Sequence, residues 1–281
     1  MIRQAKDLLK QHWLTFNKRA SRSYVAGGEL ASALQVCQQF EQQGLANTVA
    51  YWNANDDAPR LVADNYLCTL TALAGADMNG YLSIKVPALG LSAELVREVA
   101  EQGRRLRLGV HFDALEPEAA DATFALIAEA QRHNPQIGCT LPGRWQRSLQ
   151  DADRAVEAGL RVRVVKGQWA DPSEPERDLR AGFLAVIERL AGRARHVAVA
   201  THDPLLACEA VQLLRAAGTS CELEMLYGLP RKALLRVAHT LNVPARVYVP
   251  YGEAWLPYRL AQVRKNPRVL WWVLRDAFSV S

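Results

Sequence analysis

The residues 160–167, Leu-Arg-Val-Arg-Val-Val-Lys-Gly, place two cations where chemistry is commonly done. Alternating β-branched residues mark a strand, and that strand ends in lysine and glycine. Arg163 and Lys166 therefore stand near a strand's C-terminal end, the side on which parallel α/β proteins bind ligands. Other runs of strand character end in the same way, on Asn53, Lys85, Asp113, Arg144, His202, Tyr227 and Tyr251. Any one polar strand end is ordinary loop polarity. Two lysines, an arginine, an aspartate and a histidine converging on one ring would instead be the material of an active site.

No other motif competes. The chain has no Gly-x-Gly-x-x-Gly, no Walker loop and no Gly-x-Ser-x-Gly elbow, which argues against a Rossmann site, a P-loop and an α/β-hydrolase. His111 has only Asp113 at ligand-like spacing, one inside a strand and one at its end, so no metal is expected. The five cysteines, at 37, 68, 139, 208 and 221, are odd in number and widely spaced, and read as buried thiols of a reducing compartment.

Positioning such a ring requires many strands. Apolar, β-rich runs cover 47–52, 80–86, 106–112, 136–141, 160–165, 196–200, 220–226 and 245–249. Stretches of helical periodicity lie between them, including 93–104, 119–132, 148–158, 174–190, 204–216 and 230–241, with Gly90, Gly159, Gly218 and Gly228 at the seams. Eight strand and helix alternations predict an α/β fold, a closed (β/α)8 TIM-like barrel over 46–281. Residues 1–45 read as an N-terminal helical flank with Leu8, Leu9, Trp13 and Phe16 on one face, within a single domain overall.

The 281 residues, 49% hydrophobic and 22% charged, suit a globular protein with a sizeable core. No apolar run reaches the roughly 20 residues that span a bilayer, and the N-terminus lacks a signal peptide's apolar region, so a cytoplasmic protein is expected. The net charge of +5 is spread among interleaved acids, which argues against nucleic acid as a partner.

The strand ends, taken in order, resemble those of the FAD-dependent proline dehydrogenases, a flavin-linked barrel family. The segments are Ile84-Lys85-Val-Pro-Ala-Leu-Gly90, Phe112-Asp113, Arg163-Val-Val-Lys166-Gly167, Ala200-Thr201-His202-Asp203, Glu222-Leu-Glu-Met-Leu226-Tyr227-Gly228 and Val247-Tyr248-Val-Pro-Tyr-Gly252, then Trp255-Leu-Pro-Tyr258. Tyr24-Val-Ala-Gly-Gly28 resembles that family's entry into its barrel. The likeness runs from about residue 20 to 268 and implies hydride transfer from proline or a related amine or imino compound to N5 of FAD. It implies further that Arg163, Lys166, Gly167, Thr201, His202, Asp203 and Glu224 hold the cofactor. Lys85, Asp113, Leu226 and Tyr248 would surround the substrate, and a quinone would accept the electrons.

The same alignment exposes departures. The family's helix after strand eight reads Trp-x-Pro-Tyr-x-x-Arg-Arg-Leu-x-Glu, and its arginine pair clamps the substrate carboxylate in bidentate fashion. Here Tyr258 is kept, but Ala261 and Gln262 replace both arginines and Lys265 replaces the glutamate. Pro142 stands for a flavin-contacting glutamine, Glu224 for another, and Arg144 is an added cation. These changes favour an altered substrate, with Tyr258, Ala261, Gln262 and Arg144 around it. The alternative is a flavin-free barrel that has lost catalysis and acts as a binding or regulatory protein. A third role, contact with a membrane surface through Trp271 and Trp272 beside Arg268 and Arg275, competes with packing of the last helix on the core.

Overall fold

The computed structural model describes residues 24–54 and 56–252. The expected apolar face of Leu8, Leu9, Trp13 and Phe16, the altered clamp of Tyr258, Ala261 and Gln262, and the segment 269–278 lie outside the described residues.

Eight parallel strands close into a barrel in sequence order: β1 (Ala46–Trp52), β2 (Gly80–Ile84), β3 (Val110–Phe112), β4 (Ile137–Pro142), β5 (Arg161–Val165), β6 (His196–Ala200), β7 (Cys221–Leu226) and β8 (Ala245–Gly252). β8 returns to β1 over seven residue pairs, Ala46 with Arg246 through Trp52 with Gly252. The expected (β/α)8 architecture is the one observed.

Among the described residues, eight α-helices ring the strands: α1 (Leu30–Glu41), α2 (Pro59–Gly75), α3 (Ala93–Arg105), α4 (Ala120–His133), α5 (Ser148–Glu157), α6 (Leu179–Leu190), α7 (Pro204–Ala216) and α8 (Lys232–Leu241). α1 precedes the barrel and packs between β8 and β1, where it closes the ring of helices. Its Phe40 meets Tyr227 edge-on at 6.1 Å and carries the Arg231 guanidinium over its ring, which ties α1 to the end of β7. The seams are built as their residue types require. Ser92 caps α3 and Asp178 caps α6 through side-chain acceptors. Gly159 leaves α5 with φ +64°, a left-handed turn that suits glycine.

Strand alternation sorts the side chains into two sets. Val49, Leu82, Ile84, Phe112, Leu141, Val162, Val164, Val197, Val199, Leu223, Val247 and Val249 are buried in one core between barrel and helices. Their neighbours in sequence point into the barrel, and many of these are polar: Thr48, Tyr81, Ser83, His111, Thr140, Arg161, Arg163, Glu222, Glu224 and Arg246. A barrel interior is usually filled by branched apolar residues, so this one is polar on the wrong face for a simple solvent-facing strand. Among the described residues, no helix is long and apolar enough to cross a membrane.

Candidate active site

Arg163 is the hub of the upper barrel interior. It is 3% exposed and its three nitrogens diverge. Nε donates to Glu224 Oε2 at 2.7 Å, Nη1 to Asp113 Oδ1 at 2.7 Å and Nη2 to the Tyr81 hydroxyl at 3.1 Å. Burial acts to depress this guanidinium, but Glu224, Tyr81 and Asp113 outweigh it and hold the group well above its usual pKa. Thr48 Oγ1 donates to Glu224 Oε1 at 2.8 Å, and Ser83 Oγ donates to Asp113 Oδ1 at 2.8 Å. The second oxygen of Asp113 accepts from the Tyr248 hydroxyl at 2.7 Å. Burial, reinforced by Asp113, pushes the Tyr248 phenol far above its ordinary value, which keeps its proton in place as a donor.

A second charged layer lies one inward-facing residue deeper. Arg161 and Arg246 both contact Glu222, Arg246 Nε at 2.8 Å, and each guanidinium lies 4.5 Å from the Tyr81 ring centroid. His111 Nε2 meets Thr140 Oγ1 at 3.0 Å beneath Arg163. A Cβ on Gly138 would come within 2.4 Å of His111 Nδ1, so only glycine leaves room for that imidazole. Burial first, then Arg163, Arg161 and Arg246, hold its pKa well below the usual histidine range.

Above the upper layer opens a cavity of about 590 Å³ at the C-terminal ends of the strands. Lys85, Asp113, Leu226 and Tyr248 line it, as do Arg163, Gly167, Thr201, His202 and Glu224. Trp52, Asn53, Pro142 and Trp169 complete much of the wall. Among the described residues, no carboxylate lies within ion-pair distance of Lys85 Nζ; it donates to the Tyr51 carbonyl at 3.1 Å and stands 5.5 Å from the Trp52 ring centroid. Burial pulls its pKa down to about 8, with Asp113 acting in the opposite sense. The Leu226 amide donates to His202 Nε2 at 2.9 Å, so Nδ1 carries the proton and donates to the Pro230 carbonyl at 3.2 Å. Burial lowers the pKa of His202, consistent with a neutral ring. Gly167 turns with φ +90°, where a Cβ would lie 2.7 Å from that of Pro142.

Other expected site residues stand at the rim or elsewhere. Lys166 is half-exposed, its ammonium 3.8 Å from Asp203 Oδ2. Asp203 also caps α7, accepting from the Leu205 and Leu206 amides. The Arg144 guanidinium turns to the Gln168 carbonyl at 2.8 Å and does not line the cavity. Two members of the expected ring face outward: Tyr251 pairs with Thr69 of α2 at 2.6 Å, and Tyr227 packs on Phe40. Both follow from strand parity, since inward and outward positions alternate.

Sequence reasoning missed Thr48, Tyr81, Arg161, Glu222 and Arg246. The signal was present as opposite charges at period two on alternate strands, Arg161 and Arg163 on β5 against Glu222 and Glu224 on β7, with β6 between them.

No family model matches the chain. It is 24% identical to proline dehydrogenase 1 of Bacillus subtilis (strain 168) over 295 residues, covering 98% of this chain and 96% of that protein. It is likewise 24% identical to a proline dehydrogenase of Deinococcus radiodurans over 288 residues, covering 94% and 91%. Among solved structures, proline utilization A of Bdellovibrio bacteriovorus, inactivated by N-propargylglycine, superposes with a TM-score of 0.76 at 16% identity over 88% of this chain. The same protein from Corynebacterium freiburgense gives 0.71 at 16% identity over 96%. The chain spans 32% and 33% of the lengths of those two structures, whose likeness concerns the fold. End-to-end similarity to the curated relatives agrees with the ordered strand-end motifs, so the chain, built on a (β/α)8 barrel, is similar to the proline dehydrogenases along nearly its whole length.

Proposed function

We propose that the protein is a flavin-dependent dehydrogenase, with FAD as its cofactor, acting on proline or a related cyclic amine or imino compound. The carrying observation is the cavity in which Lys85, Asp113 and Tyr248 face Arg163 at the ligand-binding end of the barrel.

The residues fit a flavin ring. The cavity, at about 590 Å³, is far larger than a five-membered ring amino acid needs. Its β5 and β6 sides carry the small residues Gly167 and Ala200, with Trp169 and Thr201 beside them, which leaves room for a planar ring system. Arg163, Gly167, Thr201 and His202 would hold the group, with Lys166 and Asp203 at the rim. The chemistry a flavin supplies when bound is acceptance of a hydride from the carbon next to nitrogen, as C=N forms, the N–H proton leaves and a quinone takes the electrons afterwards.

The chain's own residues bind and orient. Lys85 offers an ammonium to a carboxylate or other electron-rich group, and Trp52 and Leu226 offer apolar faces to a small ring. Asp113 is fixed by Arg163, Ser83 and Tyr248, so it accepts without first reorganising. With Ala261 and Gln262 where the family has its arginine pair, recognition of a carboxylate falls more heavily on Lys85, and this supports a related amine over proline itself.

A second reading, a flavin-free binding or regulatory barrel, is favoured by Pro142, which brings no side-chain donor to the β4 wall. The visible spectrum of the purified protein separates the two. Flavin bands, retained or regained on adding FAD, support the enzyme; a colourless protein that takes up no FAD supports the binding role.

A further inference from the structure

We propose that Glu224 lowers the redox potential of the flavin bound in this cavity, by cancelling with Asp113 more than the whole charge of Arg163; the inference rests on the flavin reading above. The cavity floor holds one guanidinium and two carboxylates, each carboxylate 2.7 Å from a different nitrogen of Arg163. Arg163 and Glu224 are 3% and 2% exposed, so solvent ions screen this group weakly. One plus charge against two minus charges leaves the floor at net −1.

The layer beneath has the opposite balance, with Arg161 and Arg246 against Glu222. Two inward positions along a strand separate the layers by roughly 7 Å. The six groups sum to zero, but the column is polar, with its negative end toward the cavity. Among the described residues, Lys85 is the remaining lysine or arginine on the wall, and it lies on the β2 side over Trp52.

Glu224 is built into this position. Its Oε1 accepts from Thr48, and its Oε2 accepts from Arg163 and from the Tyr81 hydroxyl at 3.3 Å. Nothing in that arrangement lets the carboxylate swing away when a ligand arrives. A reduced flavin gains negative charge, and a fixed negative floor disfavours that gain relative to a neutral one. Arg163 is therefore a positioning residue for Asp113 and Glu224 before it is a free cation for the cofactor.

The test is the midpoint potential of the flavin-loaded full-length protein, measured spectroscopically against reference dyes. Glu224→Gln keeps an oxygen acceptor and the same shape, and Glu224→Ser is a second neutral variant that leaves the space to water. Asp153→Asn, on the outer face of α5 where Asp153 pairs with Arg189 and Arg193, removes the same charge far from the floor. Whichever Glu224 variant is folded and carries flavin is expected to shift the oxidised–reduced equilibrium at least tenfold toward reduction, a rise of about 30 mV for a two-electron couple. Asp153→Asn is expected to shift nothing. A potential that stays put or falls in the Glu224 variants, with flavin content unchanged, overturns the inference alone. A protein that binds no flavin overturns the flavin reading and the inference with it.

Discussion

Arg163 shows how much one side chain carries. Removing it would leave Asp113 and Glu224 as buried carboxylates without their cation, and losing one partner of such a pair costs about 3–5 kcal/mol. Arg163→Met is therefore expected to lower unfolding stability by that amount in urea titration. Lys166→Met, at a half-exposed pair spanning 3.8 Å, should cost less than about 1 kcal/mol. Lys85 makes a pH prediction. Burial lowers its pKa to about 8, so the ammonium is present below that value and lost above it. If Lys85 recognises a carboxylate, affinity for proline or a proline analogue should fall as pH rises through about 8, and Lys85→Met should erase that step in a binding titration. An unchanged pH profile in the variant would remove Lys85 from recognition. Arg163 was legible from sequence because it sits at a strand end beside Lys166. Its partners were not all legible, since Glu224 and Asp113 are 111 residues apart and only barrel closure brings both to one guanidinium.

At the scale of elements, the β4 end is held by close backbone contact with α6, in addition to the side chains of Ser148 and Arg177 that donate to its carbonyls. A Cβ on Gly182 of α6 would lie 2.2 Å from the Gly143 carbonyl oxygen, and one on Gly143 would lie 2.5 Å from Phe183 Cα. In an exposed helix, glycine to alanine gains about 1 kcal/mol. Here Gly182→Ala is expected to lose about 1–3 kcal/mol instead, because loop and helix must move apart. A stabilised Gly182→Ala protein in a thermal melt would contradict that packing. Strand positions were readable from β-branched alternation, and the β6 bounds match the expected 196–200. β3 is shorter than its expected 106–112, covering Val110–Phe112, because Arg107 adopts φ +58° and breaks the extended run after α3. The helix expected over 174–190 begins at Leu179, where Asp178 supplies the cap. Alternation alone did not say which face is inside. Arg-Val-Arg-Val-Val reads as a strand with a wet polar face, whereas in the closed barrel the arginines and Val165 point inward and Val162 and Val164 meet the helices.

The whole molecule carries its acid sensitivity in the barrel interior. His111 is held neutral by burial and by three arginines, so its folded pKa lies below its unfolded value of about 6.5. The unfolded chain then binds more protons between those two values, and stability falls as pH drops below about 6.5. Melting temperature should decline between roughly pH 6.5 and 5, and His111→Gln should flatten that slope. Glu222 adds a second loss at lower pH. Burial acts to raise its pKa, but His196, Arg246 and Arg161 more than offset this and hold it far below the usual range, so its stabilisation disappears as pH falls below about 4.5. A polar column beneath a cavity at the ligand-binding end is the physical basis for treating this barrel as an enzyme. The most direct measurement is to mix the purified, FAD-reconstituted protein anaerobically with proline and with cyclic amines lacking the carboxylate, and to follow the visible flavin bands. The account predicts bleaching, faster with a related amine than with proline. Bound flavin that no such compound bleaches, or a protein that binds no FAD, would contradict it.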